Sequence, residues 1–126
     1  MKVLYEDNHL IIVNKEVGEI VQGDKTGDKP LSEIIKDYLK EKYDKPGNVF
    51  CGVVHRLDRP VSGVVVFAKT SKALERMNRM FADHQKIKKT YRAIVCGRPE
   101  RADGKIESYL LRVEKQNKSY SYSTAK

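Results

Sequence analysis

The alternation of apolar and polar positions divides the chain into short strands and two helices. Apolar runs at residues 3–5 and 10–13 are typical of strands, and the turn-forming residues between them predict a hairpin. Residues 30–43 carry apolar side chains at helical spacing, with charges on the opposite side, which predicts an amphipathic helix. A second helix is predicted through about Ala82, with Thr70 or Ser71 as its N-cap.

A continuous apolar run at residues 64–68 follows a polar segment, residues 55–63. A run this short fits a strand buried on both faces better than a helix, and we expect it at the centre of a sheet. In the polar segment, Asp58 stands between Arg56 and Arg59. Asp58 is therefore predicted to lie on a loop that a rigid strand supports, which is a common location for chemistry.

The remaining strand candidates share β-branched and aromatic composition. They are residues 49–54, 91–95, 106–113 and 120–124. Because strands outnumber helices, the pattern predicts an α+β fold in which two helices pack on a mixed, mainly antiparallel sheet. The sequence contains no internal repeat or linker, so residues 1–126 are expected to form one domain.

Composition narrows the class of protein. The chain has 126 residues, of which 40% are hydrophobic and 33% charged, as in ordinary globular proteins. No apolar stretch has the length of a membrane span, and acidic residues come too early for a secretory signal. We therefore expect a cytoplasmic protein without a membrane partner. Cys51 and Cys96 are compatible with one disulfide, but two buried reduced thiols fit that compartment better.

The charge is unevenly distributed. The formal net charge is +8, yet residues 1–50 carry 8 Lys/Arg and 10 Asp/Glu, whereas residues 51–126 carry 17 and 7. A phosphate-rich partner for the second part follows from electrostatics, and a solvated basic surface explains the same excess. Three scattered histidines and two cysteines give no metal-ligand pattern.

One stretch carries a family resemblance. It reads His55-Arg56-Leu57-Asp58, two residues, Ser62-Gly63, an apolar strand, and Lys69-Thr70. This pattern resembles the signature of the RluA-type RNA pseudouridine synthases. The similarity extends from Tyr5-Glu6-Asp7 and Val13-Asn14-Lys15 to Lys89-Thr90-Tyr91-Arg92-Ala93. The chain departs from the family at Glu16, where proline is usual.

The resemblance implies isomerisation of uridine to pseudouridine in ribosomal or transfer RNA. The reaction breaks a C–N glycosidic bond and rejoins the base through carbon, without a redox step and hence without a cofactor. The family's catalytic aspartate corresponds to Asp58, acting as nucleophile or as base. The resemblance gives Arg56 a stacking or phosphate-binding role beside an extruded uridine, and Tyr91 a role packing against that base.

Other interpretations of these residues stay open. An Asp58 ion-paired to Arg56 or Arg59 would be a structural turn, and Tyr91 could be an ordinary core tyrosine. Four basic residues near Tyr91 are candidate phosphate contacts or a solvated face; they are Lys86, Lys88, Lys89 and Arg92. For His55 we expect a structural or hydrogen-bonding role rather than acid–base chemistry.

A third family motif, a Gly-Arg-x-His-Gln-Ile-Arg-like segment that contributes a basic residue near the aspartate, does not occur in the 126 residues. The chain is therefore expected to be the N-terminal portion of the catalytic domain, to self-associate, and to be inactive alone. The alternatives are a non-catalytic basic RNA-binding module and an assembly protein that uses an uncovered apolar surface.

Overall fold

A four-stranded antiparallel sheet forms the frame of a first unit, Met1–Thr90, in the computed structural model, which describes residues 1–124. Its strands are β1 (Lys2–Glu6), β2 (Leu10–Lys15), β3 (Gly52–Val53) and β4 (Gly63–Ala68), in the order β1-β2-β4-β3. Two helices belong to the same unit, α1 (Leu31–Lys42) and α2 (Ser71–Ala82). A second unit begins at Tyr91.

The predicted opening hairpin is confirmed. β1 pairs antiparallel with β2, and a bulge between Val3 and Tyr5 interrupts the register. The turn forms because the Asp7 carboxylate accepts hydrogen bonds from the backbone amides of His9 and Leu10, each at 2.7 Å. Short carboxylates favour turns for this reason.

β4 is central, as predicted, but it is not buried on both faces. It pairs along its whole length with β2 and over two residues with β3. Val65 and Phe67 are fully buried, whereas Val64 is 56% exposed. Successive strand side chains point to opposite faces, so only the face that carries Val65 and Phe67 is completely covered here.

The predicted first helix is confirmed, with Pro30 at the N-cap position. Its inward stripe, Leu31, Ile35 and Leu39, is at most 1% exposed. The stripe packs with buried residues of β2 and β4 to form the core of this unit. The second predicted helix is also confirmed, since the hydroxyl of Thr70 accepts a hydrogen bond from the Ala73 amide at 3.1 Å.

The Glu6 carboxylate ties α1 to the sheet. The Glu6 carboxylate at the end of β1 accepts a hydrogen bond from Lys69 Nζ at 2.7 Å, and both side chains are only 8% exposed. It also accepts bonds from Tyr38, Lys42 and Tyr43 at the C-terminal end of α1. These contacts link β1, the end of β4 and α1.

The second unit contains a hairpin of β5 (Tyr109–Val113) and β6 (Lys118–Tyr122), joined by a 3₁₀ turn. The strands predicted at 106–113 and 120–124 are thus confirmed with shifted bounds. The strand predicted at 91–95 is wrong, because these residues form no strand and Ile94 is fully exposed. β-propensity leads to a strand only where a neighbouring strand accepts the pairing.

The α+β class is confirmed, and every strand pair among the described residues is antiparallel. Both cysteines are free: Cys51 is partly buried, and burial raises the pKa of its thiol to about 12. The expectation of a buried thiol is wrong for Cys96, which is exposed. Within residues 1–124 no helix is long and apolar enough to cross a membrane.

Candidate active site

The loop between β3 and β4, residues 54–62, carries Arg56 and Asp58; we call it the Asp58 loop. Both side chains are exposed. Neither side chain makes a hydrogen bond or an ion pair within the first unit, although the Lys15 amine interacts electrostatically with Asp58. The structural alternative, an Asp58 carboxylate neutralised by a neighbouring arginine, is therefore not what this unit contains.

His55 fixes the start of the loop. Its Nε2 accepts a hydrogen bond from the backbone amide of Val66 at 3.0 Å, and its ring stacks on Phe81 with centroids 4.8 Å apart. The imidazole thus takes an amide of β4 that a longer β3 would have paired, consistent with a strand shorter than the predicted 49–54. Burial, with a smaller effect from Lys89, lowers the pKa of His55, which favours the neutral form that can accept this bond.

Lys15 binds the backbone of the C-terminal end of the Asp58 loop. It follows Ile11 and Val13 on the buried face of β2, and its side chain is completely buried. Its Nζ donates to the carbonyl oxygens of Arg59 at 3.1 Å and Val61 at 2.6 Å, and to that of Glu16 at 3.1 Å. Burial lowers the pKa of this amine.

Arg59 points away from Asp58. Its guanidinium donates to the Gly18 carbonyl and to side chains of the loop between β2 and α1, Asp24, Thr26 and Asp28. A turn closed by the Val61 amide and the Asp58 carbonyl at 2.9 Å completes the support of the aspartate. Asp58 lies between two arginines in sequence, but its carboxylate is not held between two guanidinium groups, because Arg59 has other partners.

Two glycines allow these loops to meet. Gly63 has φ +144° where the Asp58 loop enters β4, and Gly18 has φ +92° where it contacts Arg59. L-residues rarely adopt such angles, so side chains at these positions would strain the backbone. Nearby, the Glu16 amide donates to the Glu19 carboxylate at 2.8 Å, a bond that proline at this position could not make.

The other candidate residues are placed in two groups. Lys86, Lys88 and Lys89 lie after α2 in the first unit and are exposed. Lys89 lies close enough to the Asp58 loop to act electrostatically on His55. Tyr91 and Arg92 belong to the second unit, where Tyr91 is 63% exposed rather than a core residue. No group of three or more His, Cys, Asp or Glu suited to a metal ion occurs within residues 1–124.

The sequence patterns predicted no role in supporting the site for Lys15 or for the residues that bind Arg59. Lys15 could have been found, because it continues the alternation of Ile11 and Val13 and so predicts a lysine that points inward. No local pattern predicts the partners of Arg59, which lie more than 30 positions earlier in the chain.

Comparison with known proteins decides the family. The profile of the RNA pseudouridylate synthases matches residues 9–126. The chain belongs to the RNA pseudouridylate synthase family. It is 39% identical over 114 residues to tRNA pseudouridine synthase C of Vibrio cholerae, covering 90% of this chain and 43% of that protein. The family resemblance of the His55–Thr70 stretch is thereby confirmed.

Other synthases show the same relation. The dual-specificity RNA pseudouridine synthase RluA of Haemophilus influenzae is 36% identical over 114 residues, covering 88% of this chain and 47% of its own. Ribosomal large subunit pseudouridine synthase C of Buchnera aphidicola is 36% identical over 117 residues, covering 93% and 35%. The chain thus spans less than half the length of these relatives.

A solved structure supports the fold. Human RNA pseudouridylate synthase domain containing 4 matches 67% of this chain and 30% of its own, with a TM-score of 0.57 and 23% identity. The fold described here is therefore shared with part of that protein.

Proposed function

We propose that this protein isomerises uridine to pseudouridine in RNA and that Asp58 supplies the catalytic carboxylate. The observation that best supports Asp58 is its position. In this member of the family, the Asp58 carboxylate is exposed and unpaired, on a loop that His55, Lys15 and Arg59 hold. A carboxylate that makes no ion pair or hydrogen bond is available as nucleophile or base.

The chemistry requires no redox partner, since one C–N bond is exchanged for one C–C bond at the same sugar. The base loses a proton from that carbon and gains one on the released nitrogen. It does require that the uridine leave its stack. Arg56, exposed three residues after β3, has the planar cation that suits a vacated stack or a phosphate. The exposed aromatic face of Tyr91 suits the uracil ring.

RNA is the proposed partner. Lys86, Lys88, Lys89 and Arg92 are exposed and carry the phosphate contacts in this proposal. Relatives bear names that refer to transfer RNA and to ribosomal RNA, so both classes of RNA are candidate substrates. The proposed location of the protein is the cytoplasm. We also propose that the 126-residue chain self-associates and does not turn over uridine alone.

The surface proposed for self-association of the chain is the hairpin of the second unit rather than the edge of β4. β4 pairs with β2 along its whole length and with β3 over two residues, so no second copy is needed on the β2 side of β4. The hairpin of the second unit instead exposes apolar side chains on short strands, including Leu110 at 73% and Tyr109 at 56%. A two-stranded hairpin is marginally stable alone, so a second copy is the candidate cover.

The decisive experiment maps pseudouridine in cellular RNA after editing the gene in place, so that the chain is tested in whatever length its gene encodes. Deletion should remove pseudouridine from at least one site, and Asp58→Ala and Asp58→Asn should remove the same modification. Asp44→Asn, an exposed carboxylate just after α1, is the matched control and should leave it unchanged. Full modification in Asp58→Ala cells would refute the assignment; retained RNA binding without a modified site would favour the non-catalytic binding module.

A further inference from the structure

Arg59 makes more side-chain hydrogen bonds than its neighbours in the Asp58 loop. Nη1 donates to the Gly18 carbonyl and the Asp28 carboxylate, both at 3.0 Å. Nη2 donates to the Asp24 carboxylate at 3.1 Å and the Thr26 hydroxyl at 3.2 Å. Four acceptors around one planar group require a guanidinium, since an ammonium cannot present this fork.

The backbone of Arg59 is bound to the same segment. Its carbonyl accepts hydrogen bonds from the Gly18 amide at 2.9 Å and from Lys15 Nζ at 3.1 Å. Gly18 therefore exchanges two bonds with Arg59, one through each backbone group. We call this set of contacts, between Arg59 and residues 18–28, the Arg59 clasp.

The receiving loop is organised around the same contacts. The Asp24 carboxylate also accepts hydrogen bonds from the backbone amide and the hydroxyl of Thr26. The Thr26 hydroxyl in turn accepts one from the Asp28 amide at 3.2 Å. The two carboxylates and the hydroxyl are thus oriented toward one cation.

The charges explain what the clasp does for Asp58. Asp58 lies between Arg56 and Arg59 in sequence, so a free Arg59 guanidinium would be a second candidate, beside Arg56, for an ion pair. In the structure two other carboxylates, Asp24 and Asp28, take that cation. An opposite charge within about 4–6 Å would stabilise the ionised carboxylate and occupy its oxygens. The clasp keeps the Arg59 cation away from these oxygens.

We propose that Arg59 is a positioning residue for the reaction at Asp58. Held by Asp24, Thr26 and Asp28, it fixes the backbone on the C-terminal side of Asp58 and is itself kept away from the Asp58 carboxylate. This inference depends on the proposed function for its catalytic consequence, whereas its structural consequence is testable in the 126-residue chain alone.

The structural test is amide hydrogen exchange measured by NMR. Arg59→Lys keeps the charge and loses the fork, and the Asp24→Asn, Asp28→Asn double variant keeps the shape and loses the charges. In both, the Gly18 and Val61 amides should exchange at least about tenfold faster, because the loop opens locally. The amides of the central strand β4 should change less than about twofold.

Two comparisons make this test specific. The triple variant should exchange no faster than Arg59→Lys, because residues of one contact network are not additive. Arg79→Lys is the matched control, since Arg79 forms an exposed ion pair with Glu75 within α2. Unchanged protection at Gly18 and Val61 in Arg59→Lys would overturn the proposal, as would an equal loss of protection in β4.

The catalytic test uses the chain in the length that its gene encodes, with RNA containing a site lost on gene deletion. Arg59→Lys should lower the rate of pseudouridine formation about 10- to 100-fold, the penalty expected for a misplaced reacting group, and change RNA affinity less than about twofold. Loss of affinity with an unchanged rate would assign Arg59 to RNA binding instead. If deletion removes no site, the proposed function fails, while the exchange experiment still decides the clasp.

Discussion

The ion pair between Glu6 and Lys69 should make the fold sensitive to acid in a defined range. Burial alone would raise the pKa of Glu6, but the cations and phenols that donate to its carboxylate outweigh burial and lower the pKa from 4.5 to about 2. A group whose pKa is depressed in the folded state stabilises that state above the unfolded pKa. This stabilisation is lost as the pH falls from about 4.5 toward about 2.

The magnitude follows from the shift. At about 1.4 kcal/mol per pKa unit, the Glu6 carboxylate contributes about 3 kcal/mol to the free energy of unfolding at pH 7. About 2 kcal/mol of this should be lost between pH 7 and pH 3. Glu6→Gln removes the titrating group and leaves Lys69 without its charge partner, so we expect a loss of about 3 kcal/mol at pH 7.

Urea unfolding of the wild type and of Glu6→Gln at pH 7 and pH 3 tests this. The two proteins should differ by about 3 kcal/mol at pH 7 and by about 1 kcal/mol at pH 3. Glu33→Gln is the control, because Glu33 makes an exposed pair with Lys36 on α1 and should change stability by less than about 1 kcal/mol. If Glu6→Gln loses as much stability between the two pH values as the wild type, the reasoning is refuted.

Three further outcomes are expected. Lys15→Met should lower the free energy of unfolding by about 2–3 kcal/mol, since it leaves carbonyls under the Asp58 loop without their donor; a loss under about 0.5 kcal/mol in urea unfolding would contradict this. The affinity of the chain for RNA should fall steeply as the salt concentration rises. The double variant Lys88→Gln, Lys89→Gln should reduce the slope of affinity against salt, whereas Lys25→Gln should leave it unchanged. A wild-type affinity that does not depend on salt would count against RNA contacts in residues 51–126. Light scattering over a concentration series should show self-association of the 126-residue chain, and a monomer at every concentration would show that the exposed hairpin needs no second copy.

Local patterns predicted most of the first unit. The helix at 30–43 and the capped helix after Thr70 are confirmed because each has both an apolar stripe and a terminal signal. The strand predicted at 91–95 is absent, and the one predicted at 49–54 is confirmed only over Gly52–Val53. Both segments have strand composition, yet pairing depends on which neighbour is in place, and composition does not record the neighbour.

The candidate site divides in the same way. The residues proposed to meet RNA, Arg56 and Asp58, could be read from a contiguous pattern, and their roles remain predictions. The residues that hold them, such as Lys15, Asp24 and Asp28, come from segments 30 or more positions away. Their contribution depends on tertiary contacts, which a single sequence does not specify.

These distant contacts determine which of the cations near Asp58 in sequence are bound elsewhere. Three cations or potential cations, His55, Arg56 and Arg59, lie within four residues of Asp58, and each could bind its carboxylate. In the fold, His55 binds a backbone amide of β4, and Arg59 binds two carboxylates of the loop between β2 and α1. Of these three, only Arg56 makes no hydrogen bond or ion pair in the first unit. The Asp58 carboxylate beside it also makes none, although the buried Lys15 amine interacts with it electrostatically. The fold therefore separates, within one short segment, the side chains that build the loop from the two that remain available to a substrate.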